Sequence, residues 1–177
     1  MKRLAASIAL LLAACAPAAR PAADAAPHVV GGDAVATGRY IALVGGCNDC
    51  HTAYYPDSNG ETPEAEWLKG SPIGHYGPWG TTYPSNLRLV AASMDEDQWV
   101  ETVSTARYRP PMPWYLLHQY NHADLRALYQ YIRQLPGDPG VAMPTALPPA
   151  PTPPPTGPYY DYTHGGPPPP ASAPPSP

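Results

Sequence analysis

The chain has 177 residues, 28 of them proline and none phenylalanine, with a formal net charge of −4. An acidic chain has no electrostatic hold on a phosphate backbone, which argues against nucleic-acid binding. Three cysteines are too few for the disulfide framework that staples small exported domains, so a compact domain here needs another source of stability.

Residues 1–14 have the form of an export signal. Lys2 and Arg3 precede the apolar run Leu4 to Leu12, which is too short to span a bilayer as a helix of about 20 residues. Leu12-Ala13-Ala14-Cys15 resembles the bacterial lipobox, in which the Cys is acylated and becomes the mature N-terminus. Cys15 is therefore the expected lipid anchor. Ordinary cleavage after Ala16 or Ala19, giving a soluble periplasmic protein, is the alternative. Either way the protein leaves the cytoplasm, and Ala16 after the anchor, rather than Asp, favours the outer membrane. Residues 15–30 are Ala/Pro-rich and suit a tether.

Residues 31–136 are expected to form the one domain. The first helix is predicted from Asp33 or Val35 into Val44, with Asp33 as N-cap, Gly45-Gly46 as the stop, and Tyr40, Ile41 and Val44 on one face. Cys47-Asn48-Asp49-Cys50-His51 follows at once. Thr52 to Val90 is rich in Gly, Pro and Tyr without periodicity and is expected to be an ordered loop. A second helix is predicted from Ser93, where Ser93-Met94-Asp95-Glu96 has the pattern of a capping box, with Trp99, Val100 and Val103 inward. Arg107 to Asn121 is a loop. The last helix is predicted from Asn121 or His122 to just before Pro136, with Leu125, Leu128, Tyr129 and Ile132 on one stripe. No strand is evident, so the expected class is all-α, with about three helices and long loops. Residues 137–177, with 17 of the 28 prolines counted from Pro136 onward, are expected to be a disordered, solvated tail, a partner contact through Tyr159-Tyr160-Asp161-Tyr162 being the alternative.

Two thiols spaced as in Cys47 and Cys50 can each form a thioether with one haem vinyl group, and the adjacent His51 can offer a ring nitrogen to the iron. The competing uses of CxxC are a thioredoxin-like redox pair, which wants a βαβ context, and half of a zinc site, which wants further donors. For the distal position Met112 is the leading candidate. It sits in Pro110-Pro111-Met112-Pro113-Trp114, where prolines forbid a helix and stiffen an extended strap. Met94 is expected to be a packing residue and Met143 lies in the tail. His75, His118 and His122 are the rivals for a bis-His site. A carbonyl placed by the turn Ser71-Pro72-Ile73 or Gly77-Pro78-Trp79 is expected to orient His51.

These residues carry a resemblance. Gly38-Arg39-Tyr40, Gly77-Pro78-Trp79-Gly80-Thr81-Thr82-Tyr83 with Ser85-Asn86-Leu87, Pro110 to Trp114, and Asp124 to Tyr129 running into Leu135-Pro136 stand in an ordered series. From about residue 35 to 136 the chain resembles class I c-type cytochromes, and more narrowly the cytochrome modules of membrane-bound alcohol and gluconate dehydrogenase subunits. Those subunits carry several CxxCH modules; this chain has one. The resemblance implies a small cytochrome c-like fold around one covalent haem c, crossed first and last helices, and Met112 as axial ligand. Together with the export signal and the Cys15 anchor, the CxxCH and the Met112 strap lead to the expectation of a periplasmic, membrane-tethered carrier of single electrons between a dehydrogenase or other donor and a downstream oxidase or cytochrome. The alternative function is a haem enzyme or sensor, peroxidase-like or gas-binding, with an exchangeable sixth iron ligand.

Overall fold

The structure, a computed structural model, describes residues 27–149 and 153–163. Its elements in chain order are α1 (Ala34–Val44), α2 (Cys47–His51), β1 (Gly74–Gly77), β2 (Gly80–Thr82), α3 (Leu87–Ala92), α4 (Glu96–Thr105), α5 (Trp114–Leu117), α6 (His122–Gln134) and β3 (Tyr159–Asp161). The export signal and Cys15 lie outside the described residues. Among the described residues no helix is long and apolar enough to cross a membrane.

The core is built where α1 and α4 pack on α6. Asp33 caps α1 by accepting from the Ala36 amide at 2.8 Å, and Asn121 caps α6 by accepting from the Ala123 amide at 2.8 Å. The apolar stripe of α6 buries Leu125, Leu128 and Ile132, while Ile41 and Ala42 of α1 and Trp99, Val100 and Val103 of α4 meet it. Gly38 sets how close α1 comes: a Cβ there would lie 2.0 Å from the Ala127 carbonyl oxygen. Trp99 fixes α4 by donating its indole N–H to the Leu125 carbonyl at 3.1 Å.

One capping expectation shifts. Ser93 does not start a helix; it ends α3, a helix absent from the sequence-based expectation. Asn86 starts α3 by accepting from the Leu89 amide, and Asp95 with Gln98 forms the capping box of α4. Two helix starts stand almost back to back here, and the sequence reading resolves them as one. Arg88 of α3 is buried and donates to the carbonyls of Trp67 (2.7 Å), Pro136 (2.7 Å), Glu64 (3.0 Å) and Ala65 (3.0 Å). It ties the end of α6 to the turn before the hairpin.

The chain is not all-α. Among the described residues six α-helices accompany a three-stranded mixed sheet of order β2-β1-β3, which makes the class mixed α/β. β1 pairs antiparallel with β2, Gly77 opposite Gly80, and β3 adds in parallel to the other edge of β1, His75 opposite Tyr160. These strands are hidden from periodicity for a physical reason. They are four and three residues long, rich in glycine and buried on both faces, so no inside–outside alternation develops.

The described part of residues 137–177 also departs from a solvated tail. Leu147 and Thr81 exchange backbone hydrogen bonds, Gly74 N donates to the Pro158 carbonyl at 2.9 Å, and Tyr162 N donates to the Tyr76 carbonyl at 2.8 Å. Asn86 donates its amide to Pro139 and Val141 carbonyls at 2.8 and 3.1 Å. Proline cannot donate, but its carbonyl accepts normally, and Pro136, Pro139 and Pro158 are all used that way.

Candidate metal and cofactor site

Gly46, with φ of 66°, turns the chain sharply from α1 into α2. The single turn of α2 brings Cys47, Cys50 and His51 to positions i, i+3 and i+4, which share one helix face. His51 is buried and its Nδ1 lies 2.7 Å from the Ser85 carbonyl oxygen. A carbonyl only accepts, so Nδ1 carries the hydrogen and Nε2 keeps a free lone pair. Burial holds the His51 pKa below the usual histidine value, with the Ser85 bond pulling the other way. The side chain is thus a neutral imidazole with one nitrogen committed and the other available.

The orienting carbonyl is that of Ser85, not one placed by the two proline turns named from sequence. The neighbouring prolines and amides act around it. Pro84 O accepts from Ser71 N at 3.1 Å, and Gly70 N donates to the His51 carbonyl at 2.7 Å. The segment from Gly70 to Ser85, which contains the β1–β2 hairpin, is therefore tied to His51 at both ends. Asn86 pins the next residue through its cap and its two tail contacts.

Both thiols are free. Burial pushes the Cys47 thiol up to about 11 and raises Cys50 as well, with Asp49 adding to both. A reactive redox dithiol works with its thiol pKa lowered instead. Among the described residues no group of three or more His, Cys, Asp or Glu side chains gathers as a metal cluster would.

Asn48, between the two cysteines, is buried. Its Oδ1 accepts from Thr52 Oγ1 at 2.7 Å, and its Nδ2 has no hydrogen-bond partner among the described residues. Buried amide donors without partners are rare. Two neutral thiols and one neutral imidazole with a free Nε2 on one face of a single turn fit a haem bound through two thioethers and a histidine.

Comparison with protein-family models, curated proteins and solved structures finds no match. The chemistry of the residues themselves therefore has to define the site.

Met112 is half-buried in the connection between α4 and α5. Its strap is anchored on both sides: Thr82 Oγ1 donates to the Pro110 carbonyl at 2.8 Å, and Trp114 N donates to the Met112 carbonyl at 2.9 Å. Thr82 stands opposite His75 in the hairpin register, so the strap is fastened to the same hairpin that is fastened to His51. Arg107 stacks on Trp114 at 5.1 Å and stiffens the base of the strap. Met94 packs against the main core. Met143 packs at Gly70, where a Cβ would lie 2.5 Å from its Cγ.

Of the rival histidines, His118 places Nε2 2.9 Å from the Ala106 carbonyl, which commits that nitrogen as a donor. His122 is the first residue of α6. His75 is buried on β1, its Nδ1 3.1 Å from the Tyr162 hydroxyl, and burial followed by the nearby His51 lowers its pKa to about 4. Sequence reasoning gives Ser85, Asn86, Tyr160 and Tyr162 no role beside His51 or His75, although Ser85 and Asn86 stand in the series that carries the resemblance. Only the Asn86 cap ahead of an apolar run left a signal that could have found one of them.

Proposed function

We propose that the chain is a single-haem c-type cytochrome that carries single electrons at the membrane, outside the cytoplasm, held there through Cys15. The observation that carries this reading is the state of His51. It shares one helical turn with two neutral thiols, and its Nδ1–H is committed to Ser85, which leaves Nε2 for iron. Cys47 and Cys50 would hold the haem, each thiol adding across one vinyl group, the sulfur bonding one carbon and its proton going to the other. His51 Nε2 and the Met112 thioether would hold the iron. A haem bound there supplies a one-electron Fe(III)/Fe(II) couple.

The rest of the work belongs to the chain. Ser85 orients the imidazole and raises its basicity. The prolines beside Met112 fix where its thioether stands, and the α1–α4–α6 core excludes water. The resemblance to dehydrogenase cytochrome modules makes a dehydrogenase the favoured donor and an oxidase or second cytochrome the favoured acceptor.

The test is expression beside a haem-attachment system. A covalent haem signal on a denaturing gel is expected for the wild type and is expected to be lost in the Cys47→Ser/Cys50→Ser double variant. The ferric wild type should show a weak long-wavelength sulfur-to-iron band that disappears in Met112→Ala. Absence of covalent haem from the wild type overturns the cytochrome. A wild type that holds haem but is high-spin overturns Met112 as ligand and replaces the carrier with a haem enzyme or sensor.

A further inference from the structure

The segment from Pro153 to Thr163 converges on the hairpin that is tied to His51. Gly74 N donates to the Pro158 carbonyl, Tyr162 N donates to the Tyr76 carbonyl, and β3 runs parallel to β1 between them. The side chains close over one residue. His75, only 6% exposed, has the Tyr160 ring 5.3 Å away and the Tyr162 ring 5.8 Å away, and meets the Tyr162 hydroxyl at 3.1 Å. Trp79 closes the far side, its ring 5.5 Å from Tyr162 and its indole N–H donating to the His75 carbonyl at 3.2 Å. Two aromatic rings from a proline-rich segment close on a buried imidazole, with Trp79 of the hairpin backing one of them, which is more than a tail needs for its own order.

The position of this cluster gives it a use. Its hairpin begins beside Gly70, which donates to the His51 carbonyl, and ends at Ser85, which accepts from the His51 ring. The electrostatics agree: burial is the main cause raising both the Tyr160 and Tyr162 phenols, and the Cys50 sulfur adds to each, after Asp57 in the case of Tyr160.

We propose that residues 153–163 are the outer wall of the cofactor site, Tyr160 and Tyr162 sealing His75 beside the Cys47–His51 turn so that the C-terminal strand keeps water off the bound haem and holds its reduction potential up. This rests on the haem assignment made above. The physical link is direct. Water stabilises the more charged ferric state, so a drier site favours the ferrous state and raises the potential.

The experiment uses the full holoprotein beside three variants: Tyr160→Ala/Tyr162→Ala, Tyr162→Phe, and a chain ending at Pro149. The double variant keeps the backbone pairing of β3, so it answers the question even if the shortened chain does not accumulate. Three quantities are read: covalent haem by gel stain, midpoint potential by spectroelectrochemical titration, and acylation of His75 by diethyl pyrocarbonate followed by mass spectrometry. Haem should remain attached in all forms. The potential should fall and His75 should acylate on the order of tenfold faster in the double variant and the shortened chain, as a lost protecting contact predicts. Tyr162→Phe, which removes only the hydroxyl, should shift both less. Unchanged potential and unchanged His75 reactivity with haem in place overturn the wall alone. A wild type without covalent haem overturns the haem assignment and the wall with it.

Discussion

At the scale of single residues the site depends on a backbone atom. The Ser85 carbonyl has no side chain to delete, but its position is set by Asn86, whose side chain caps α3 and reaches Pro139 and Val141. Asn86→Ala should cost about 1–2 kcal/mol through the lost cap and its unpaired partners, measured by denaturant unfolding. With haem in place it should also raise the midpoint potential, because a less firmly hydrogen-bonded imidazole is a less basic ligand and supports ferric iron less well. A stability loss with no change in potential would separate the cap from the ligand. Cys47, Cys50 and His51 were legible because their chemistry lies in five adjacent residues. Ser85 was not, because it meets His51 across 34 positions and contributes only a peptide oxygen that every residue has.

At the scale of elements the helices that carry the core were the most legible part. Asp33 and Asn121 announce α1 and α6, and the stripe from Leu125 to Ile132 marks the buried face. What packing does with those faces is less visible, and Gly38 shows why. Its missing Cβ lets α1 rest against the Ala127 carbonyl and the Tyr131 Cβ, both parts of α6 that cannot swing aside. Gly38→Ala should therefore destabilise the protein by about 2–3 kcal/mol, although alanine is the better helix former. Thermal unfolding of the two forms decides it; an unchanged or higher midpoint would mean that the helices separate freely. The strands were illegible for the converse reason. β1 and β2 are held by their partners more than by their own composition, and β3 supplies one of those partners from far along the chain.

At the scale of the whole molecule, His75 links folding to pH. Its folded pKa is about 4, burial being the main cause, against 6.5 when the chain is open. Its ring faces the neutral Tyr160 ring of β3 and the Tyr162 ring just after it, besides the nearby His51. Above pH 6.5 neither state binds the proton and nothing is lost. Between 6.5 and 4 the unfolded chain takes up a proton that the folded chain refuses, so stability falls with falling pH, by about 3 kcal/mol in all. Below 4 the loss is complete. Unfolding of the wild type and His75→Gln at pH 7 and pH 5 should show the steeper decline in the wild type; parallel declines would assign the acid sensitivity to other groups. The parallel pairing of β1 with β3 has a further consequence, in time. His75 and Tyr162 are 87 positions apart, so in a chain emerging from its N-terminus β1 waits for its last neighbour while the Cys47–His51 turn is already out. Until then the turn is open from that side, so the connectivity leaves the Cys47–His51 turn accessible before its last neighbouring strand arrives.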